Sequence, residues 1–152
     1  ATAEFQKYAM NSFSAHFVKV HVHPTTGAIA LKQIIATGDG GKIISEKTAR
    51  SQMVGGAVGG IGMAMTEETL IDHRYGRYIN SNFVDYHVPV HADVPPMDIV
   101  FPNQPDYIIS PTGAKGIGEI ALVGVAPAIL NAVYNATGKR VRDLPVTPDK
   151  VL

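Results

Sequence analysis

The sequence predicts an α+β fold, with β-hairpins and short mixed strands packed on two main helices. Three observations point there. Phe13 to Val22 is rich in β-formers and partly alternating, and a Pro- and Gly-containing turn leads to a second apolar stretch. Ser45 stands where a helix N-cap stands, just before a long segment opening at Glu46. Leu122, Val125, Ile129, Val133 and Ala136 recur three or four residues apart, the spacing of one helix face.

Taken in order, Phe13–Val22 is a strand and His23-Pro24-Thr25-Thr26-Gly27 a turn, with Pro and Gly in turn roles. Ala28 to Thr37 returns as the second strand of a hairpin. Gly38-Asp39-Gly40-Gly41 is a loop. A helix follows from Glu46 to about Glu68. It holds Gly55, Gly56, Gly59, Gly60 and Gly62, each destabilising by up to about 1 kcal/mol in a helix interior. Gly55/Gly59 and Gly56/Gly60 form one stripe, so this helix is expected to press on another backbone or a ligand, or else to break there. Thr69–Asp72 and Tyr78–Asn80 flank a second hairpin turn. Asn82 to Pro105 is Pro-rich loop with brief strands, one near Asp98–Phe101, and Ile108–Ser110 is expected as a strand. In the last helix Pro127 either sits in the first regular turn or kinks it, and Gly138 suits the C-terminal cap. The tail from Lys139, with Pro145 and Pro148, is expected to lie extended across the surface.

The 152 residues suit one domain, 1–152, with roughly 70% of the unfolded surface buried. Hydrophobic residues make up 45% and charged ones 17%, apolar enough that part of the surface is expected to belong to an interface. The net charge is zero, and the compact basic cluster Lys139, Arg140, Arg142 is too small for a nucleic-acid face. The apolar runs are Gly-rich or broken by Pro, so no membrane span is expected. No signal peptide is visible at Ala1, which favours a cytoplasmic setting, and the absent start Met points to a processed chain or an excised fragment. Without Cys the chain can form neither disulfides nor a Cys-ligated iron–sulfur cluster.

The chemistry concentrates in Gly113-Ala114-Lys115-Gly116-Ile117-Gly118-Glu119. Glycines let a backbone come close to a ligand. The run ends in a carboxylate just before an apolar helix, where the dipole favours its charged form and hence its use as a base. This GxKGxGE run, followed by Ala121-Leu122-Val123 and Ala126-Pro127-Ala128-Ile129, resembles the C-terminal part of the molybdenum-cofactor-binding large subunit of the xanthine dehydrogenase/aldehyde oxidase family. Asp39-Gly40-Gly41 through Gln52-Met53-Val54-Gly55-Gly56 and Gly60-Ile61-Gly62-Met63-Ala64 resembles a second segment of that family. The family has Ile-Asn-Pro where this chain has Ile44-Ser45-Glu46. Asp85-Tyr86-His87-Val88-Pro89 with Ala92-Asp93-Val94-Pro95 is similar to a third segment, of structural role. The run from Arg142 to Leu152 is similar to the family's C-terminal end. The resemblance covers about Ser12 to Leu152.

The resemblance implies a molybdenum hydroxylase that oxidises an aldehyde or N-heterocycle with oxygen from water. Glu119 is then the base at the molybdenum-bound hydroxyl. Gln52 hydrogen-bonds the pyranopterin (molybdopterin), and Gly116, Gly118 and Lys115 line the cofactor. Lys115 can pair with a cofactor oxygen or with Glu119. Iron–sulfur clusters, and in many members FAD, lie on other domains or subunits. The partners implied are the remainder of the molybdenum subunit, those iron–sulfur and flavin subunits, and a small-molecule substrate. Because the family's large subunit is several times longer, this chain alone is expected to be inactive.

The alternative is a non-catalytic binding or assembly module that keeps the family fold, with Glu119 only a helix-end carboxylate. His21/His23 and His87/His91 lack the spacing of a zinc motif and read as structural or surface residues, so no metal ligand is assigned to the chain itself. Gly38-Asp39-Gly40-Gly41-Lys42 is not a phosphate-binding loop, because its spacing is wrong.

Overall fold

The computed structural model describes residues 7–152. Strand β1 (Phe13–Val22) pairs antiparallel with β2 (Ile29–Asp39), Phe13 opposite Asp39 and Val22 opposite Ile29. The turn between them is held by the His23 ring, whose Nδ1 accepts the N–H groups of Thr25 and Thr26 at 3.3 and 3.2 Å. The second strand is two residues longer at its end than the sequence predicts. One irregularity explains its apolar pattern. Lys19 pairs with Gln33 but Val20 with Leu31, leaving Lys32 as an extra residue. That bulge switches the inward positions from Ile29 and Leu31 to Ile34 and Ala36.

Strand β5 (Met97–Val100) adds to the other edge of β2 in parallel, giving the order β1-β2-β5. A separate small hairpin joins β3 (Ile71–Asp72) to β4 (Arg77–Tyr78). Its base is satisfied from within: buried Asn80 accepts the Leu70 N–H at 2.9 Å and donates to the Glu68 carbonyl at 2.6 Å.

Helix α1 (Glu46–Met65) starts at Ser45, whose hydroxyl accepts the Thr48 N–H at 3.5 Å, and runs unbroken through its glycines. It ends three residues earlier than predicted, because the N–H groups of Thr66 and Glu67 both turn back to the Gly62 carbonyl. Helix α2 (Ile120–Thr137) closes at Gly138 in the left-handed conformation, φ 73°. Gly56 abuts Ala121 and Leu122, and a Cβ on Gly60 would lie 2.7 Å from the Val125 Cβ. The close partner expected of the glycine helix is therefore α2. Rising numbers meet rising numbers, so the two helices run parallel and begin at the same end.

Val125, Ile129 and Val133 of α2 are buried, whereas Ala136 in the last turn is exposed. Pro127 lies inside the helix rather than at its start, on an exposed position. By length and composition α2 alone is long and apolar enough to cross a membrane among the described residues. Its buried side chains join Ile34, Ala57 and Ile61 in the main core, the place of an internal helix.

Two expectations are corrected. Ile108–Ser110 is a turn, not a strand: the Asp106 carboxylate accepts the N–H groups of Ile108 and Ile109 at 3.0 and 3.2 Å, which competes with extended pairing. The tail is not wholly extended, for it ends in a short helix α3 (Pro148–Val151). Val146 and Val151 enter the core, and the Val146 N–H bonds the Ala64 carbonyl at 2.7 Å. The basic cluster serves this end of the fold: the Arg140 guanidinium stacks 3.7 Å from the Tyr134 ring and donates to Asn131. In the third family-like segment Tyr86 donates to the Glu67 carboxylate at 2.8 Å and the Val90 N–H to Asp93 at 2.9 Å. The outer sheet face carries Phe13 and Phe17, 65% and 64% exposed, the apolar surface that composition foretells.

Inside the sheet, His16 lies against Gly124, and a Cβ at 124 would collide with its ring. Its Nε2 is buried with no hydrogen-bond partner among the described residues, and burial lowers its pKa from 6.5. A folded value below the unfolded one means the neutral ring is favoured on folding. Stability is then full above about 6.5 and falls as pH drops from there through the folded value. Thermal unfolding from pH 8 to 4 should show that decline, and His16→Phe should remove His16's share of it. An unchanged slope in the variant would mean that His16 is protonated as easily in the fold as in the unfolded chain.

Candidate active site

Both α1 and α2 begin at one end of the molecule, where β2 ends, and the Gly-rich loop crosses that end. Its first half is fastened to the β2–α1 loop. Gly41 and Ala114 form an antiparallel bridge, the Lys42 N–H donates to the Gly113 carbonyl at 2.7 Å, and the Lys115 N–H donates to the Gly40 carbonyl at 2.8 Å. Gly41 and Gly113 both have positive φ, 66° and 76°. A Cβ on Gly41 would meet the Gly113 carbonyl oxygen, so glycine is required there by contact as well as by conformation.

The Lys115 side chain is 8% exposed, and its ammonium pairs with the Asp39 carboxylate and donates to the Asn11 carbonyl at 3.3 Å. The expected alternative of a Lys115–Glu119 pair is not realised. Burial by itself would raise the Asp39 carboxyl, but the Lys115 ammonium and the Gly41 N–H outweigh it and hold Asp39 below its usual value of 3.8. Asp39 is thus anionic at neutral pH and ties the end of β2 to the loop.

The second half of the loop is open. A Cβ on Gly116 or Gly118 would meet nothing within 4 Å, so the described chain itself does not require those two glycines. None of the backbone N–H groups of Gly116, Ile117, Gly118 and Glu119 is hydrogen-bonded to another described residue. Glu119 is the N-cap residue of α2, at φ −118° and ψ 5°. Its side chain makes no capping bond and is exposed, with no ion pair among the described residues.

Gln52 lies on α1 one residue before Met53, which packs with Ala121 at the start of α2. It lines a groove of about 300 Å³ together with Gly40, Ser45, Ala114, Lys115 and Ile117. Its amide makes no hydrogen bond to a described residue and is exposed to the groove. A larger recess of about 460 Å³ lies at the second hairpin, walled by Thr69, Tyr78, Phe83 and Tyr86, and contains none of these residues.

The four sequence-predicted positions around the loop and Gln52 therefore gather at one end of the parallel helices. Lys115 is turned inward to Asp39. Residues that sequence reasoning passed over are Ser12 and Ser14 on the β1 side, whose hydroxyls donate to the Gly116 carbonyl at 2.7 Å and the Ile120 carbonyl at 3.0 Å. Nothing local marks them, since their partners stand more than a hundred residues away. Among the described residues no three His, Cys, Asp or Glu side chains group as metal ligands.

The donor set is suited to an anionic, heterocyclic cofactor: unused backbone N–H groups, a free amide that can both donate and accept, and glycine surfaces open to approach. The sequence model of the molybdopterin cofactor-binding domain matches residues 1–95, more than half the chain. This chain belongs to the molybdopterin cofactor-binding domain family. The match includes Gln52 but ends before the Gly-rich loop.

Relatives of the molybdopterin cofactor-binding chain extend across that loop. It is 47% identical over 147 residues to the aldehyde oxidoreductase molybdenum-binding subunit of Escherichia coli, covering 97% of this chain and 20% of that one. It is 34% identical to the nicotine 6-hydroxylase large subunit of Paenarthrobacter nicotinovorans, covering 94% of this chain and 18% of that one. The fold matches the quinoline 2-oxidoreductase of Pseudomonas putida with a TM-score of 0.79 at 27% identity, over 87% of this chain and 17% of that one. It matches the aldehyde oxidoreductase of Desulfovibrio gigas with a TM-score of 0.76 at 31% identity, over 87% of this chain and 14% of that one. The α+β architecture is that of these proteins. The chain spans about a fifth of the length of the curated relatives it matches.

Proposed function

We propose that this chain is the C-terminal part of the molybdenum-binding subunit of a hydroxylase that oxidises an aldehyde or an N-heterocycle with oxygen from water. The observation that carries the reading is the open half of the loop: N–H donors from Gly116 to Glu119 and a closing carboxylate, none of them partnered among the described residues. The names of the relatives, an aldehyde oxidoreductase, a nicotine hydroxylase and a quinoline oxidoreductase, support the substrate class.

The molybdenum–pyranopterin group, when bound, supplies the two-electron oxidation. The chain's own residues do the rest. Gln52 offers its amide to the heterocycle, and Gly116 and Gly118 let the backbone approach it. Glu119 takes a proton from the water-derived oxygen that attacks the substrate carbon, general-base catalysis by the exposed carboxylate at the start of α2. Iron–sulfur clusters that would accept the electrons would be held by other domains or subunits, since a chain without Cys offers no thiolates, and FAD, where present, would lie there too. The remaining four-fifths of the subunit carries the other cofactor contacts, so the isolated chain is inactive.

Elemental analysis tests this. Stoichiometric molybdenum in the assembled protein, with none in the isolated chain, is the expected result. Gln52→Ala should weaken cofactor retention by about tenfold, the effect of losing one or two hydrogen bonds. No molybdenum in either preparation from a cofactor-competent host would favour the assembly-module reading, and full retention in Gln52→Ala would remove Gln52 from the site.

A further inference from the structure

We propose that Ser12 and Ser14 of the β1 segment, with the Asp39–Lys115 ion pair, are positioning residues that hold Glu119 in place. The inference rests on the assignment of Glu119 as the base.

The loop needs restraint. Gly116 and Gly118 have open surroundings among the described residues, and ordering such a stretch costs backbone entropy. A base works only when held near its reacting partner, and a displacement of about 1 Å can lower the rate a hundredfold. Glu119 cannot hold itself, because its side chain makes no capping bond.

The restraint comes from three places. Upstream, the ion pair and the bridge to Gly41 fix Lys115. Ser12 then fixes the Gly116 carbonyl at 2.7 Å, and Ser14 fixes the Ile120 carbonyl at 3.0 Å. Ile117, Gly118 and Glu119 are left between two pins. The serines stand two apart, so both project from one side of the extended chain. Each pin also sets a direction. In a trans peptide the C=O and the next N–H point opposite ways. A Gly116 carbonyl held by Ser12 therefore turns the Ile117 N–H away from β1, leaving it free for a ligand. The hydroxyls act on Glu119 through the backbone and touch no reacting atom.

The test is Ser12→Ala/Ser14→Ala in the assembled protein, which leaves the ion pair intact. Two readouts are needed. Amide hydrogen exchange at Lys115 and Leu122, whose N–H groups bond the Gly40 and Glu119 carbonyls on either side of the pinned stretch, should quicken about tenfold, the factor for roughly 1.4 kcal/mol of lost hydrogen bonding, while Ile34 and Ala36 in the core stay protected. In steady-state kinetics kcat should fall about tenfold with KM and molybdenum content unchanged, and Ser12→Thr/Ser14→Thr, which keeps the hydroxyls, should restore both readouts. Unchanged exchange would show that the serines do not restrain the loop. Faster exchange with undiminished kcat would show that the restraint does not position the base. Either result overturns the proposal. If Glu119→Gln itself turns over normally, the assignment of the base fails instead, whatever the exchange rates show.

Discussion

Glu119→Gln lowers turnover of the assembled, molybdenum-loaded protein by about a hundred- to ten-thousand-fold, the usual contribution of a general base. The substitution keeps size and shape and removes only the ability to take a proton. Because the carboxylate is exposed and makes no capping bond or ion pair among the described residues, stability should stay within about 0.5 kcal/mol of the parent. Molybdenum content should not change. Glu119→Asp, which withdraws the carboxylate by one methylene, should lose about a hundredfold by misplacement alone. Normal turnover by the glutamine variant, with the metal present, would reduce Glu119 to a helix-end carboxylate and leave the assembly-module reading standing.

Gly41→Ala should destabilise the fold by roughly 3 kcal/mol, combining the cost of a positive φ with that of overpacking. The position has φ 66°, and its Cβ would run into the carbonyl of Gly113. The loops bridged there are the ones that carry Asp39 and Glu119, so loss of the bridge should also lower molybdenum retention. Gly76→Ala supplies the comparison. Gly76 has φ 62° but open surroundings, so only the conformational part, about 1 kcal/mol, should appear. Thermal unfolding of the two variants reads the difference directly. Equal losses would show that the contact between Gly41 and Gly113 is soft and that the bridge does not hold the site together.

Some of the site was legible in the sequence because its signals are local. The Gly-rich run, its closing carboxylate and the apolar helix after it are contiguous, so Glu119 could be named from Gly113 to Ala128 alone. Gln52 was singled out only through the resemblance of its segment to the family, since a lone Gln on a helix reads as a surface residue. Lys115 illustrates the limit. Its neighbourhood in sequence offers Glu119, four residues on, as a partner. Its neighbour in space is Asp39, brought there by the end of β2, and the ion pair goes to it. Ser12 and Ser14 are further cases, ordinary strand hydroxyls until the helix start is laid beside them.

By itself the sequence determined the hairpin, the two helices with their caps at Ser45 and Gly138, and the run that ends in Glu119. Those depend on propensity, periodicity and turn chemistry, which act over a few residues. The turn at Ile108 went the other way, because one Asp side chain outcompeted a weak apolar run. Tertiary structure alone decided that α1 and α2 run parallel, that glycines of one helix admit the other, and that the Gly-rich loop meets the end of β2. Those depend on which surfaces fit when distant segments collapse together, and close packing is a property of shapes that no single segment carries.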